Sequence, residues 1–314
     1  MKGRCVFMKK NREKFLQNMK SQKFGVEIEL TGISRQEVKD LLASYFNDDE
    51  LFDNKGRDWT VKYDSSIQAC YKSGNTYVST ENKNYKVELV TPILEYEDIP
   101  MLQDIVRIIR KAGGLAGSKY RTGIHIHISD EGHNEDTLRN LIRLMRSKQY
   151  LLERALQIPS SRLCHYCQYV SDDLTKRSKR KFRNMDKLQS VWNTTSDRYS
   201  MLNLSSLFSG KGIELRMFNS SLHAGVVKTY IQFSLALCQS AKDLTRCSSV
   251  IPKNDENDKY AMRTWLCRLH LVGDEFKTCR KFMCEKLTGE SAFSNPDARK
   301  KPSEDFSEDE LPIY

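Results

Sequence analysis

The sequence predicts an α+β fold, in which a curved, mainly antiparallel sheet carries helices on its outer face. Several short segments alternate apolar side chains with charged or polar ones, which is typical of strands that bury one face. Longer segments between them carry apolar residues at spacings of three and four, which predicts amphipathic helices. With 39% hydrophobic residues, the 314-residue chain can bury a core around such a sheet.

The first predicted strand is Phe24 to Leu30, where apolar residues alternate with glycine and two acids. Side chains two positions apart point the same way in a strand, so Glu27 and Glu29 project together from the face opposite the core. The same alternation predicts further strands at 59–63, 85–91, 122–128, 198–204 and 212–219. A polar hairpin region is expected between the strands at 59–63 and 85–91.

Helices are predicted in the intervals between the strands. Ser34 and Glu37 have the spacing of a capping box, which predicts a helix of about three turns after Ser34. Pro100 favours the first turn of a second helix, which should end at Gly113. Further helices are expected at 134–156, 222–242 and twice between 258 and 287, whereas 158–190 is predicted to be irregular.

The net charge of +10 and the pI near 9.0 raise the question of a nucleic-acid partner. Much of the surplus lies in one polar segment, 176–187, whose basic residues are Lys176, Arg177, Lys179, Arg180, Lys181, Arg183 and Lys187. We interpret this segment as a solvated insertion; a phosphate-bearing or acidic substrate is the first alternative, and nucleic acid comes third. Nine scattered cysteines suit a reducing compartment, and neither a membrane span nor a secretory segment is apparent, so a cytoplasmic location is expected.

Four predicted strands present Glu-x-Glu, a single Glu, His-x-His or Glu-x-Arg on the polar face. If they share one sheet, these side chains converge on one surface, with an aspartate at its rim: Glu27, Glu29, Glu88, His125, His127, Glu214, Arg216 and Asp64. A donor set dominated by carboxylates suits Mg²⁺ or Mn²⁺ better than Zn²⁺. Arg216 could hold a phosphoryl group, because a guanidinium is planar and always charged.

Other site chemistries find less support in the residues. Cys164 and Cys167 have ligand-like spacing, but a second Cys-x-x-Cys is absent, so structural zinc is only an alternative. There is no Gly-x-Ser-x-Gly elbow for a nucleophilic serine. The glycine-rich loop at 113–119 follows a predicted helix instead of joining a strand to one, which does not favour a P-loop.

Five motifs, in this order, resemble the amidoligase family: Phe24-Gly25-Val26-Glu27-Ile28-Glu29, Asp64-Ser65-Ser66, Val87-Glu88-Leu89-Val90-Thr91-Pro92, Thr122-Gly123-Ile124-His125-Ile126-His127 and Glu214-Leu215-Arg216-Met217-Phe218. That family belongs with the carboxylate-amine ligases, which include glutamine synthetase and glutamate-cysteine ligase. The resemblance runs from about residue 23 to 242. One departure is Asp64-Ser65-Ser66, where the family often has Asp-Gly-Ser.

The resemblance implies a glutamine-synthetase-like half-barrel that uses ATP and Mg²⁺ or Mn²⁺ to phosphorylate a carboxylate, which an amine then attacks. It implies that Glu29, Asp64 and Glu88 bind one metal ion. It also implies that Glu27, His125 and Glu214 bind a second ion nearer the phosphates. Arg216 would stabilise the phosphoryl group, and His127 would contact substrate or phosphate. Arg198 and Asn203 resemble residues of the preceding strand that contact the nucleotide.

The expected organisation follows from these matches. A basic N-terminal extension (1–22) precedes a catalytic domain (23–245) with the basic insertion at about 171–187, followed by C-terminal helices (255–288) and an acidic, disordered tail (289–314). Small-molecule or peptide carboxylates and amines are the expected partners. Two other functions stay open: a guanidino or carboxylate kinase on the same scaffold, and a non-catalytic basic binding module.

Overall fold

The computed structural model describes residues 2–252 and 257–291. In it the chain folds around a six-stranded antiparallel sheet. The strands are β1 (Phe24–Leu30), β2 (Thr60–Lys62), β3 (Cys70–Ser73), β4 (Thr76–Ser79), β5 (Val87–Val90), β6 (Gly123–Ile128), β7 (Leu202–Asn203) and β8 (Ile213–Asn219). The sheet has the order β2-β5-β1-β6-β8-β7, while β3 and β4 form a separate hairpin. The predicted α+β class is confirmed.

Helices pack against the apolar face of the sheet. They are α1 (Lys2–Lys20), α2 (Arg35–Phe46), α3 (Ile99–Lys111), α4 (Glu135–Leu156), α5 (Ser160–His165), α6 (Asp172–Arg177), α7 (Met185–Thr195), α8 (Ser205–Phe208), α9 (Ala224–Asp243), α10 (Asp258–Arg268) and α11 (Lys277–Cys284). Helix α9 contacts β6, and α1, α3, α4 and α11 contact α9 in turn. Ile28, Ile126 and Leu215 from the strands are fully buried in this core, so the other face of the sheet is left for polar side chains.

The strand register decides which polar side chains meet. Glu29 lies opposite Glu88 on β5, and Glu27 lies opposite His125 on β6. His127 lies opposite Glu214 on β8. The pairing of β6 with β8 shifts between Ile124 and Ile126, so β8 contains a bulge opposite His125.

Most predicted helices occur where the spacing placed them, and the Ser34–Glu37 capping box is present. The region 158–190 differs from the prediction, because it contains α5, α6 and the start of α7 instead of irregular chain. Helix α6 is capped by Ser171, and its Leu174 is buried, which explains why a mainly polar segment is ordered there. The predicted strand 198–204 is reduced to the two residues of β7.

The two ends of the chain were predicted as extensions outside the catalytic domain. Residues 2–20 form α1, and its Phe15 and Met19 are buried in the common core. Most of the predicted disordered tail, 292–314, lies outside the described residues. None of the described helices combines the length and apolar character needed to cross a bilayer.

The basic insertion contacts the helical layer. Lys181 pairs with Asp136 of α4 at 2.5 Å, and Arg143 of α4 donates to the carbonyl of Ser178 at 3.3 Å. The other basic side chains of 176–187 are exposed. These contacts attach the insertion to α4, which packs on α9 and β8.

Candidate functional site

Four glutamates and a histidine meet on the polar face of the sheet: Glu27, Glu29, Glu88, His125 and Glu214, called here the carboxylate cluster. They come from β1, β5, β6 and β8, the four central strands. Because strand side chains alternate, each cluster residue projects away from apolar neighbours that are fully or almost fully buried. The convergence predicted from the sequence is therefore present in the fold.

His125 lies at the centre of the carboxylate cluster. Its Nδ1 is 3.0 Å from Glu27 Oε2 and 3.6 Å from Glu214 Oε1, while its Nε2 is 3.7 Å from Glu29 Oε1. Only 5% of this residue is exposed, so these contacts are shielded from solvent. The His125 imidazole thus has carboxylates beside both of its ring nitrogens.

Glu29 and Glu88 form the second part of the cluster. Burial raises the pKa of Glu88 to about 8, and the negative charges of Glu27, Glu29 and Asp64 add to this effect. Burial also raises the pKa of Glu29, although the Gly123 amide donates to its Oε2 at 2.6 Å. Such crowding disfavours the charged forms of both acids, and a cation bound between them would offset this effect.

The pKa of Glu27 is lowered, in contrast to those of Glu29 and Glu88. Burial alone would raise its pKa, but hydrogen bonds with His125 and His127 dominate and hold it well below the usual range of a glutamate. His127 Nε2 lies 3.3 Å from Glu27 Oε1, and its Nδ1 is 3.2 Å from the carbonyl of Lys211. Burial lowers the pKa of His127, yet the contact with Glu27 outweighs it and the net pKa is raised.

Glu214 accepts hydrogen bonds from an arginine and an asparagine side chain. Its Oε1 accepts from Arg216 Nη1 at 2.5 Å, and its Oε2 accepts from Asn203 Nδ2 at 2.6 Å. Arg216 also donates through Nε to the carbonyl of Tyr166 at 3.4 Å. The sequence predicts that Asn203 contacts the nucleotide; in the structure its side chain donates to Glu214 and orients that carboxylate.

Two predicted residues lie outside these contacts. Asp64 accepts from the amide and hydroxyl of Ser66 at 2.6 Å, and its charge acts on Glu29 and Glu88 without joining either close ligand group. Arg198 is exposed, with its guanidinium 5.1 Å from the centre of the Tyr199 ring. Arg198 is thus not brought into the carboxylate cluster.

Arg162 is a site residue that the sequence did not reveal. It is 6% exposed and donates to the carbonyls of Phe218 at 2.6 Å and Arg216 at 3.1 Å, and to Asn219 Oδ1 at 3.1 Å. These acceptors belong to the bulged part of β8, so Arg162 fixes the segment that carries Arg216. Helix α5 supplies this residue from a region predicted to be irregular, and no motif marks it.

The position of Arg162 also explains why residue 123, in the His-x-His strand, is a glycine. A Cβ atom at Gly123 would lie 2.5 Å from Arg162 Nη2 and 3.4 Å from His125 Nε2. A side chain at position 123 would therefore push against the guanidinium that holds β8. The glycine lets this guanidinium and His125 lie beside each other on the polar face.

The donor set fits hard divalent cations. Among the described residues, two groups offer three ligand atoms within 4.8 Å of one another: Glu27 with His125 and Glu214, and Glu29 with Glu88 and His125. Carboxylate oxygens dominate both groups, as Mg²⁺ and Mn²⁺ require. Cys164 and Cys167, the alternative zinc ligands, belong to neither group.

The comparison with protein families agrees with the motifs. Residues 20–238 match the family described as "Putative amidoligase enzyme". A bifunctional glutathione synthetase from Pasteurella multocida is similar in structure, with 13% identity and a TM-score of 0.41 over 88% of this chain and 48% of that chain, so the present chain spans about half its length. No curated protein sequence matches. Because the family match covers well over half of the sequence, the chain belongs to the amidoligase family.

Proposed function

We propose that the protein is an ATP-dependent, divalent-cation-requiring ligase that joins a carboxylate to an amine through an acyl phosphate. Family membership supports the reaction class. The observation that carries the proposal is His125, which lies between the acids of two three-ligand groups, with Arg216 beside them. An amino acid or peptide is the proposed substrate.

In this proposal Glu27, His125 and Glu214 hold the cation nearer the phosphates, and Glu29, Glu88 and Asp64 hold the other. The raised pKa of Glu88 supports a cation there, because an ion would replace the proton that crowding retains. Because Asp64 lies outside both close ligand groups, His125 is an alternative third ligand for the cation at Glu29 and Glu88. Bound divalent cations would neutralise the phosphate charge that develops during phosphoryl transfer.

The chain's own residues would then orient and stabilise the reactants. Arg216 would hold the transferring phosphoryl group, and its bond to Glu214 keeps the guanidinium on the polar face. His127, with its raised pKa, would donate to a phosphate oxygen or a substrate carboxylate. Asn203 would keep Glu214 oriented toward the ion. Arg198 is retained as a nucleotide contact only through its match to the family pattern.

Turnover of ATP with pooled substrates tests the proposal. Purified protein is incubated with Mg²⁺, ATP and pools of amino acids and short peptides, while ADP and new masses are followed. We expect ADP together with an amide product, and we expect Glu29→Gln to lower the rate at least a hundredfold, because the substitution removes a charged metal ligand. Glu97→Gln, which changes an exposed acid in the segment before α3, is the matched control and should keep full activity.

Two outcomes would support the alternatives. A stable phosphorylated product without an amide would favour the kinase. If no pool gives ADP, and a nucleic-acid band shift disappears when Lys176, Arg177, Lys179 and Arg180 are neutralised, the non-catalytic binding module would be favoured instead.

A further inference from the structure

A cavity of 350 Å³ lies beside the hairpin formed by β3 and β4. Its walls come from the residues that enter and leave this hairpin and from those just before β5 and β6. Six polar and charged residues among its lining bear on what it could bind: Ser65, Ser66, Thr80, Glu81, Lys86 and Arg121. We call it the hairpin cavity.

The hairpin cavity borders Asp64, because Ser66 of its wall donates hydrogen bonds to the Asp64 carboxylate. Lys86 is two residues before Glu88, and Ser65 directly follows Asp64. Arg121 is two residues before Gly123, whose amide donates to Glu29. A molecule in the cavity would therefore lie beside Asp64, whereas Glu29 and Glu88 are not among the residues that line the cavity.

The charges around the hairpin cavity have both signs. Lys86 donates one hydrogen bond from Nζ to the carbonyl of Ser65 at 3.1 Å, and an ammonium has three such donors. Arg121 and Glu81 are exposed. Among the residues whose side chains the structure describes, 11–252 and 257–291, no ion pair involves any of these three charged side chains. Two cations and one anion around a polar cavity match a ligand that carries a carboxylate and an ammonium group.

The walls of the hairpin cavity are held by backbone hydrogen bonds. The amide of Gln68 donates to Tyr120 at 3.0 Å, and the amide of Thr80 donates to Ala69 at 3.0 Å. Arg121 ends a short 3₁₀ turn with φ of 54°, and its amide donates to Ser118 at 3.0 Å. The chain segments that carry the charges are thus fixed before any ligand arrives, which limits the entropy lost on binding.

We propose that the hairpin cavity binds the α-carboxylate and α-ammonium groups of a free amino acid, with Arg121 and Lys86 on its carboxylate and Glu81 on its ammonium group. The proposal rests on the ligase function above and names the class of one substrate. The cavity volume suits a ligand of this size. The remainder of the substrate would extend toward Glu29 and Glu88.

Direct binding tests this proposal without turnover. The full-length protein is titrated calorimetrically with each of the twenty L-amino acids, without ATP. The tightest binder is then compared with its amide, which lacks the carboxylate, and its N-acetyl form, which lacks the ammonium group. We expect each analogue to bind at least about tenfold more weakly, because each loses a charge-assisted hydrogen bond.

Matched variants assign the contacts. Arg121→Gln and Lys86→Gln should each raise the dissociation constant roughly tenfold, and Glu81→Gln should weaken binding and reduce discrimination against the N-acetyl form. Lys83→Gln is the control, because Lys83 is exposed in the same connection but does not line the cavity; its dissociation constant should change less than about twofold.

The outcomes separate this inference from the ligase function. The inference is overturned if none of the amino acids binds, if the analogues bind equally well, or if Arg121→Gln and Lys83→Gln behave alike. Amide synthesis whose KM is unchanged in all three cavity variants would overturn the inference and leave the ligase function standing. Amino-acid binding that follows the expected pattern, with no ATP-dependent amide from any pool, would support the inference while the ligase function fails.

Discussion

Replacing Arg162 with methionine should destabilise the protein and loosen the strand that carries Arg216. Methionine has a similar length and fits a buried site, so the change mainly removes the guanidinium. Arg162 is 6% exposed and donates to two backbone carbonyls of β8 and to Asn219. In Arg162→Met these three acceptors lose their donor.

The magnitude follows from these contacts. A buried carbonyl left without a donor costs about 1–3 kcal/mol, so the carbonyls of Arg216 and Phe218 together cost roughly 2–6 kcal/mol. Part of this is offset because a charged group no longer has to be buried. We expect a net loss of about 3 kcal/mol, which corresponds to a melting temperature lower by roughly 4–6 °C for a chain of this size.

Thermal and urea unfolding of the full-length protein measure this loss. Arg110→Met is the control, because Arg110 is exposed in the last turn of α3 and its loss should change stability by less than about 0.5 kcal/mol. Gly123→Ala provides a second measurement, since its methyl group would lie 2.5 Å from Arg162 Nη2. Alone, this overpacking should cost about 1–3 kcal/mol.

The two substitutions should not be additive. In the Arg162→Met background the guanidinium that the alanine methyl would strike is absent, so Gly123→Ala should cost clearly less than it does alone. Our account of Arg162 is refuted if Arg162→Met and Arg110→Met melt at the same temperature. It is also refuted if the effects of Arg162→Met and Gly123→Ala simply add.

Three further predictions concern the ion, the phosphoryl contact and acid stability. Millimolar Mn²⁺ or Mg²⁺ should raise the melting temperature of the protein, and Glu27→Gln should abolish that rise while Glu97→Gln keeps it; equal shifts in both variants would contradict the metal assignment. Arg216→Lys should lower kcat roughly a hundredfold with an unchanged melting temperature, because lysine lacks the planar fork; undiminished turnover would exclude Arg216 from phosphoryl stabilisation. Burial raises the pKa of Asp98, but its hydrogen bonds with Arg57, the Glu95 amide and Lys55 together outweigh this and lower the pKa from 3.8 to about 2. The contribution of this carboxylate is therefore complete above pH 3.8 and is lost as the pH falls to about 2, so urea unfolding of Asp98→Asn and wild type should differ at pH 6 and converge near pH 2; a constant difference would contradict this linkage.

Local patterns in the sequence predicted much of the fold. Strict alternation placed Glu27 and Glu29 on the face opposite Val26 and Ile28, and the structure has this division. Helical spacing and the Ser34 cap located α2 in the same way. These predictions succeed because the direction of a side chain depends on the local backbone and on which face is buried.

The region around α5 shows where local patterns were insufficient. Its helices are short, and their apolar residues, such as Leu174 and Trp192, are too sparse to give a clear period. They are stabilised by burial against the remainder of the fold, which the sequence does not display. Arg162 was missed for this reason.

The sequence by itself determined that acids and histidines line one face of a sheet, because alternation in a strand is a local property. Only the tertiary structure decided which of them meet. The strand order and register set Glu88 against Glu29 and His125 against Glu27, and they left Asp64 outside both close ligand groups. Arg162 comes from a distant helix to hold the bulge of β8. Such pairings join residues far apart in the chain, so they depend on how the elements pack and not on any local pattern.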